Sequence, residues 1–176
     1  LIESFEEGDE RKDMIDLRYT DEDTWTYQGS IVPFNKKFWH TGHAIQFQTG
    51  ANFPLFRYPH VLLMLAECYL REGGGDPAPL VNQVRARAGL PPASAITIES
   101  IIQERRVEFY GEADRWDVLV RTGKVLEVME PHGENERQSR PEVHVGDAAF
   151  RNIKVLYPIP ASAIQTDPRL QQNPEY

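Results

Sequence analysis

The spacing of apolar residues changes along the chain, and each change predicts a different kind of structure. From Leu1 to Tyr27 polar and charged residues dominate, with Glu6, Glu7, Gly8, Asp9, Glu10, Arg11 and Lys12 as the densest charge run, which reads as a solvated loop or helix start. Ile31 to Phe56 is rich in aromatic residues and glycine (Phe34, Phe38, Trp39, Phe47, Phe53, Phe56) and has no helical period, so it predicts irregular structure with short strands. Helical patterning begins at Arg57. Pro59 suits a first helical position, where the missing N–H is not needed. Val61-Leu62-Leu63-Met64-Leu65-Ala66-Glu67-Cys68-Tyr69-Leu70 then runs apolar almost all round. That run predicts a buried helix ending at Gly73-Gly74-Gly75.

A second helix follows at once. Asp76 can cap it, Pro77 suits its first position, and Leu80, Val81, Val84 and Ala88 form one face. Gly89 ends it and Pro91-Pro92 prevent continuation. Thr97 caps a third helix bearing Ile98, Ile101, Ile102, Arg105 and Phe109 at helical spacing. Gly111 bends or breaks it, and a fourth helical piece with Trp116, Leu119 and Val120 stops at Gly123. Helices paired through tight turns are the packing unit of helical-repeat proteins, although no repeat is visible as sequence identity. Beyond Val128 the stretch from Pro131 to Asp147 is polar and predicts an exposed insertion or mobile hairpin. Ile153 to Ile159 predicts a short strand limited by Pro158 and Pro160, and Ala161 to Tyr176 a tail of proline-limited turns.

Composition narrows the partners. The 27 acidic and 19 basic side chains give a net charge of −8, which argues against a nucleic-acid partner and against a polybasic grip on anionic lipid. A neutral or cationic ligand, or one recognised by stacking, remains open. The single cysteine, Cys68, cannot form an internal disulfide and reads as a small buried side chain. No run of ~18 apolar residues is present to span a membrane, and no signal peptide opens the chain; any targeting segment belongs upstream of Leu1.

Glu104-Arg105-Arg106, Glu108, Glu112, Asp114-Arg115-Trp116-Asp117 and Arg121 alternate opposite charges on helices that also carry core residues. The planar guanidinium fork pairs bidentately with carboxylates and ties neighbouring helices together. Helical spacing favours a structural ion network over a charged active site, with Glu104, Arg105, Glu112, Arg115 and Asp117 as its expected members.

Four motifs in order carry a resemblance: Arg57-Tyr58 with Val61 to Glu67, Asn82-Gln83-Val84-Arg85-Ala86-Arg87-Ala88-Gly89-Leu90, the block from Glu104 to Gly123, and Leu156-Tyr157-Pro158-Ile159-Pro160 with Gln172-Asn173-Pro174-Glu175-Tyr176. Together they resemble the SusD/RagB family of outer-membrane nutrient-binding lipoproteins of Bacteroidota-type bacteria. The resemblance covers most of Arg57 to Tyr176 and extends weakly upstream, through Phe5 to Arg11 and Lys37-Phe38-Trp39. Ala113 stands where the family usually has glycine, Pro59 replaces a common alanine and Glu175 a glycine. The resemblance implies a mainly α fold of TPR-like helical hairpins (an alpha-alpha superhelix) with irregular loops and a few short strands. It implies a carboxy-terminal SusD/RagB-like domain over 1–176: loop-rich to 56, helical hairpins over 57–128, and loop, short strand and tail over 129–176. The amino-terminal half of such a protein would lie upstream. It further implies non-catalytic capture of a nutrient, most often a glycan, by a lipid-anchored protein on the outer membrane, in partnership with a SusC-like TonB-dependent transporter. The alternative is a generic helical-repeat scaffold that binds protein.

Sugar C–H faces pack on aromatic rings flanked by polar groups, which makes Trp25, Tyr27 and Trp39, with Phe53, the candidate ligand-binding residues; the competing role is to anchor loops against the hairpins. His40, His43 and His60 lack the remaining ligands of a closed metal site. Glu134, Glu136, Glu142 and Asp147 lack the ordered spacing of a calcium loop and read as solvated surface. Carboxylates beside arginines suit structure better than the raised pKa of a glycosidase acid, and no nucleophile elbow, zinc-protease helix or phosphate loop is present. The sequence therefore predicts a non-enzyme with no metal and no cofactor.

Overall fold

The computed structural model describes residues 1–16, the backbone of 26–27 and 30–31, residues 33–38, 52, 54–139, 153–174 and 176. They fall into two compact units, residues 1–115 and 116–176. The fold is mainly helical, as predicted.

In the first unit, α1 (Tyr58–Glu72), α2 (Ala78–Arg87) and α3 (Ile98–Glu108) supply the body. Extended Arg57 precedes α1, and its backbone N–H donates to His60 Nδ1 at 3.0 Å. Gly73, at φ +71°, ends the helix by donating its N–H to the Tyr69 carbonyl, a left-handed position that glycine takes without steric cost. Asp76 accepts from the Ala78 N–H at 2.9 Å where α2 starts. At α3, Thr97 and Ser100 cap each other reciprocally: Thr97 Oγ1 accepts from Ser100 N–H and Ser100 Oγ from Thr97 N–H.

α1 packs on both α2 and α3. Leu62, Leu63, Ala66, Val81, Val84, Ile101 and Phe109 form the core between them, each large apolar side chain contributing about 1.5–3 kcal/mol of burial free energy. A second cluster joins Phe5, Val107 and Tyr110, with Phe5 edge-on to Tyr110 at 5.8 Å. Two short antiparallel ladders complete the description: β1 (Ile15–Asp16) pairs with β4 (Phe34–Asn35), and β2 (Thr26–Tyr27) with β3 (Ser30–Ile31).

Three expectations for this unit are corrected. α1 is buried on one side only: Tyr58, Val61, Met64 and Leu65 are exposed, because α2 and α3 cover the opposite face. Cys68 lies on the exposed side. The charge run near the amino end is not wholly solvated, since Asp9 and Arg11 are buried. They sit in a 3-10 turn, Glu10–Met14, whose cap is the Asp9 carboxylate accepting from Arg11 N–H at 3.0 Å.

α4 (Asp114–Arg121) starts in the first unit and runs into the second, which also holds α5 (Val125–Ser139) and α6 (Ala161–Thr166). The loop expected from residue 129 is thus helical as far as Ser139. Pro131 and Gly133 read as breakers in sequence, but Glu134 accepts from Arg137 at 2.6 Å and from Gln138 at 2.8 Å, pairs available only at helical spacing. Nor do the described residues of Ile153 to Ile159 form a strand. The Gln172 amide takes the place of a strand partner, accepting from Ile159 N–H at 2.7 Å and donating to the Ile159 carbonyl at 2.9 Å. Asn173 donates to the Tyr157 carbonyl and Tyr176 to that of Leu156.

Candidate functional site

Charge in the first unit converges on one side of α3. Helical spacing puts Glu104, Glu108 and Glu112 in a row, with Glu112 in the turn just beyond the helix. Glu108 is fully buried and accepts from Arg11 at 3.0 Å, Arg57 at 2.9 Å and Arg87 at 2.6 Å. Glu104 bridges Arg11 at 2.6 Å and Arg85 at 3.3 Å. Glu112 receives Arg57 bidentately, both bonds at 2.8 Å, and Lys37. Arg11 is held from its other side by both Asp9 oxygens, and Arg85 by both Glu6 oxygens. Five carboxylates and five cations thus pair off with little charge left over. The network joins five stretches of the chain, residues 6–11, 37, 57, 85–87 and 104–112.

A second cluster adjoins it. His60 stacks on Phe109 at 3.7 Å, and the Arg57 and Arg105 guanidiniums each lie 5.1 Å from that ring. Arg105 pairs with Asp114. The electrostatics follow from this packing. Burial works to raise the Glu112 pKa, but Arg57 and Lys37 outweigh it and hold the carboxyl below its usual range. Burial lowers Lys37 despite Glu112, lowers His60 despite Asp114, and pushes the Tyr110 phenol up to about 12. Glu112 is thereby held ionised and the Tyr110 phenol neutral.

Of the residues expected in the network, Glu104 and Glu112 make the pairs above and Arg105 binds Asp114. Arg115 and Asp117 make no ion pair among the described residues: Asp117 is exposed, and Arg115 Nη1 is buried without a hydrogen-bond partner. The reason is angular. Residues 115 and 117 lie on α4, beyond the left-handed turn at Gly111 (φ +75°) and Ala113 (φ +62°), so the periodicity of α3 does not extend to them. Sequence reasoning left out Asp9, Arg11, Lys37, Arg57, Arg85 and Arg87. Arg57, Arg85 and Arg87 do lie inside the motifs that carried the family resemblance, which was the available signal.

The aromatic candidates are placed differently. Trp25, Trp39 and Phe53 lie outside the described residues, as do His40 and His43; Tyr27 is placed only by its backbone in β2. Two clefts open in the first unit. One, of about 380 Å³, is lined by Ile2, Ile15, Pro33, Phe34, Asn35 and Tyr110. The other, of about 360 Å³, has Ser4, Ser94, Ser100 and Gln103 around the Arg85–Glu104 pair; the charged groups on its floor are already engaged with each other.

The SusD family profile matches residues 3–176. The chain belongs to the SusD family. A SusD-like protein of Formosa agariphila, P38, is 31% identical over 139 residues, covering 71% of this chain and 25% of its own length. Among solved structures, surface glycan-binding protein A from Bacteroides thetaiotaomicron superposes with a TM-score of 0.67 at 26% identity, over 98% of this chain and 40% of its own. The same protein in complex with laminarihexaose gives 0.66 at 26% identity, covering 98% of this chain and 39% of its own. This SusD-family chain therefore spans about a quarter of the length of that curated relative and about two-fifths of the solved ones.

Proposed function

We propose that this SusD-family chain takes part in capturing a glycan at the bacterial cell surface, without catalysis, for delivery to a TonB-dependent transporter of the SusC type. The observation that carries the proposal is the match of nearly the whole chain to surface glycan-binding proteins, one of them solved in complex with laminarihexaose. The site chemistry agrees with it: the buried carboxylates of the first unit are neutralised by arginines, an arrangement suited to a rigid scaffold and not to proton transfer. The ion network holds residues 1–16 and 33–38 against the helices, and the segments between and after them carry the proposed contacts Trp25, Tyr27 and Trp39. A lipid anchor outside this chain would tether it to the outer membrane.

Isothermal titration calorimetry with a panel of oligosaccharides, including laminarihexaose, tests capture. Trp25→Ala and Trp39→Ala should each weaken binding about tenfold or more, equivalent to ~1.4 kcal/mol, without lowering thermal stability. Release of reducing ends during incubation, abolished by one carboxylate substitution, would overturn the non-catalytic reading.

A further inference from the structure

We infer that the exposed face of α1 is the seat of one further helix, supplied by the part of a SusD-family protein that this chain does not span. Tyr58, Val61, Leu65 and Cys68 follow one another at intervals of three, four and three residues, with Met64 beside them, and all five are exposed. Apolar residues recurring every 3.5 positions on average form the seam along which two helices pack. Leu55 and Phe56, the latter edge-on to His60, extend the apolar surface past the start of α1 and are 80% and 76% exposed. The opposite face of the helix, with Leu62, Leu63 and Ala66, is buried against α2 and α3. Soluble proteins rarely leave a contiguous apolar surface of this kind bare.

The chemistry of the stripe suits a helix and not a sugar. Val61, Met64, Leu65 and Cys68 offer no strong hydrogen-bonding group, so a glycan lying on them would bury hydroxyls without partners. The way helical hairpins stack identifies where the covering helix comes from. They stack in one dimension, each covering its neighbour, and the terminal unit turns a polar face outward. α1 turns an apolar face outward, which makes it an interior helix of such a stack. The relatives have the length to continue it: about three-fifths of the solved surface glycan-binding proteins lies outside the match to this chain. The stripe from Tyr58 to Cys68 is ~15 Å long, the span of one helix of ordinary length.

The test uses the protein at the length of its relatives, with the photo-crosslinking residue p-benzoylphenylalanine in place of the exposed Tyr58, and maps the products by mass spectrometry. The expected result is an intramolecular cross-link to residues three or four apart in one segment outside residues 1–176. In the unsubstituted protein, maleimide labelling of Cys68 should be slower than in denaturant by about a hundredfold or more, since a covered thiol reacts only through local opening. A cross-link joining two copies would assign the face to a dimer, and one confined to residues 1–176 would assign it to this chain's own segments. Fast labelling of Cys68 with no cross-link would show the face to be bare. Each of these three results overturns the inference, and none of them bears on glycan capture.

Discussion

Replacing Glu108 with glutamine keeps the side chain's shape and removes the charge that Arg11, Arg57 and Arg87 share. The loss can be sized from the exposure of each partner. Arg87 is 56% exposed and its pair contributes little, on the order of 0–1 kcal/mol. Arg57 is 24% exposed and keeps its bidentate hold on Glu112. Arg11 is 8% exposed, so its bond to Glu108 has almost no solvent to replace it, although Asp9 and Glu104 remain. Breaking a buried pair by removing one partner costs about 3–5 kcal/mol, and the surviving partners place Glu108→Gln at the lower end, about 3 kcal/mol. For a chain of this size that lowers the midpoint of thermal unfolding by roughly 6–12 °C. Circular dichroism melts supply the midpoint, and hydrogen exchange of the α3 amides shows whether the loss falls where the contacts are. Arg87→Met is the control and should cost less than about 1 kcal/mol. If Glu108→Gln and Arg87→Met destabilise equally, the central place given to Glu108 is wrong.

Other expectations follow from the same geometry. Ala113→Gly should stabilise the chain slightly, by ~0.5 kcal/mol in urea denaturation, because relief of a left-handed alanine (about 1–2 kcal/mol) exceeds the entropy glycine adds to the unfolded chain; destabilisation would show that Ala113 is not strained. Gly111→Ala should do the reverse, since its Cβ would overlap the Asn35 amide and adopt φ +75°. Glu112 and Glu6 have folded pKa values below the ordinary 4.5, so their contribution to stability is complete above that pH and is lost as pH falls below it. His60, lowered from 6.5, makes the folded state bind fewer protons than the unfolded one, so stability should begin to fall below pH 6.5. An acid-unfolding series on wild type and His60→Asn separates the two, because the loss below pH 6.5 should vanish in the variant while that below 4.5 persists. Gln172→Ala should speed hydrogen exchange at the Ile159 amide and leave α3 unchanged, as the lost bonds lie in the second unit.

The helices were legible because their signals are local. Thr97 and Ser100 cap, Gly73 and Gly123 terminate, and Leu62, Leu63, Ala66, Val81 and Val84 repeat at helical spacing, all within a few residues of where they act. Local signals misled where an alternative partner was supplied nearby: Pro131 sits inside α5, and the apparent strand at Ile153–Ile159 is satisfied by Gln172 and not by another strand. The family also could be read from sequence, since its motifs contain the arginines and glutamates that later meet. Which of those charges meet was decided by tertiary structure alone. Arg11 reaches Glu104 and Glu108 across more than ninety residues, and Asp9 looked like the solvated residues beside it until the chain folded back over α3. Burial likewise belongs to the assembled fold: Leu62 and Leu65 read alike in sequence, yet one lies under α2 and α3 and the other is 38% exposed. A side chain's character is set by its own atoms, but its partners and its dielectric come from segments that only folding brings together.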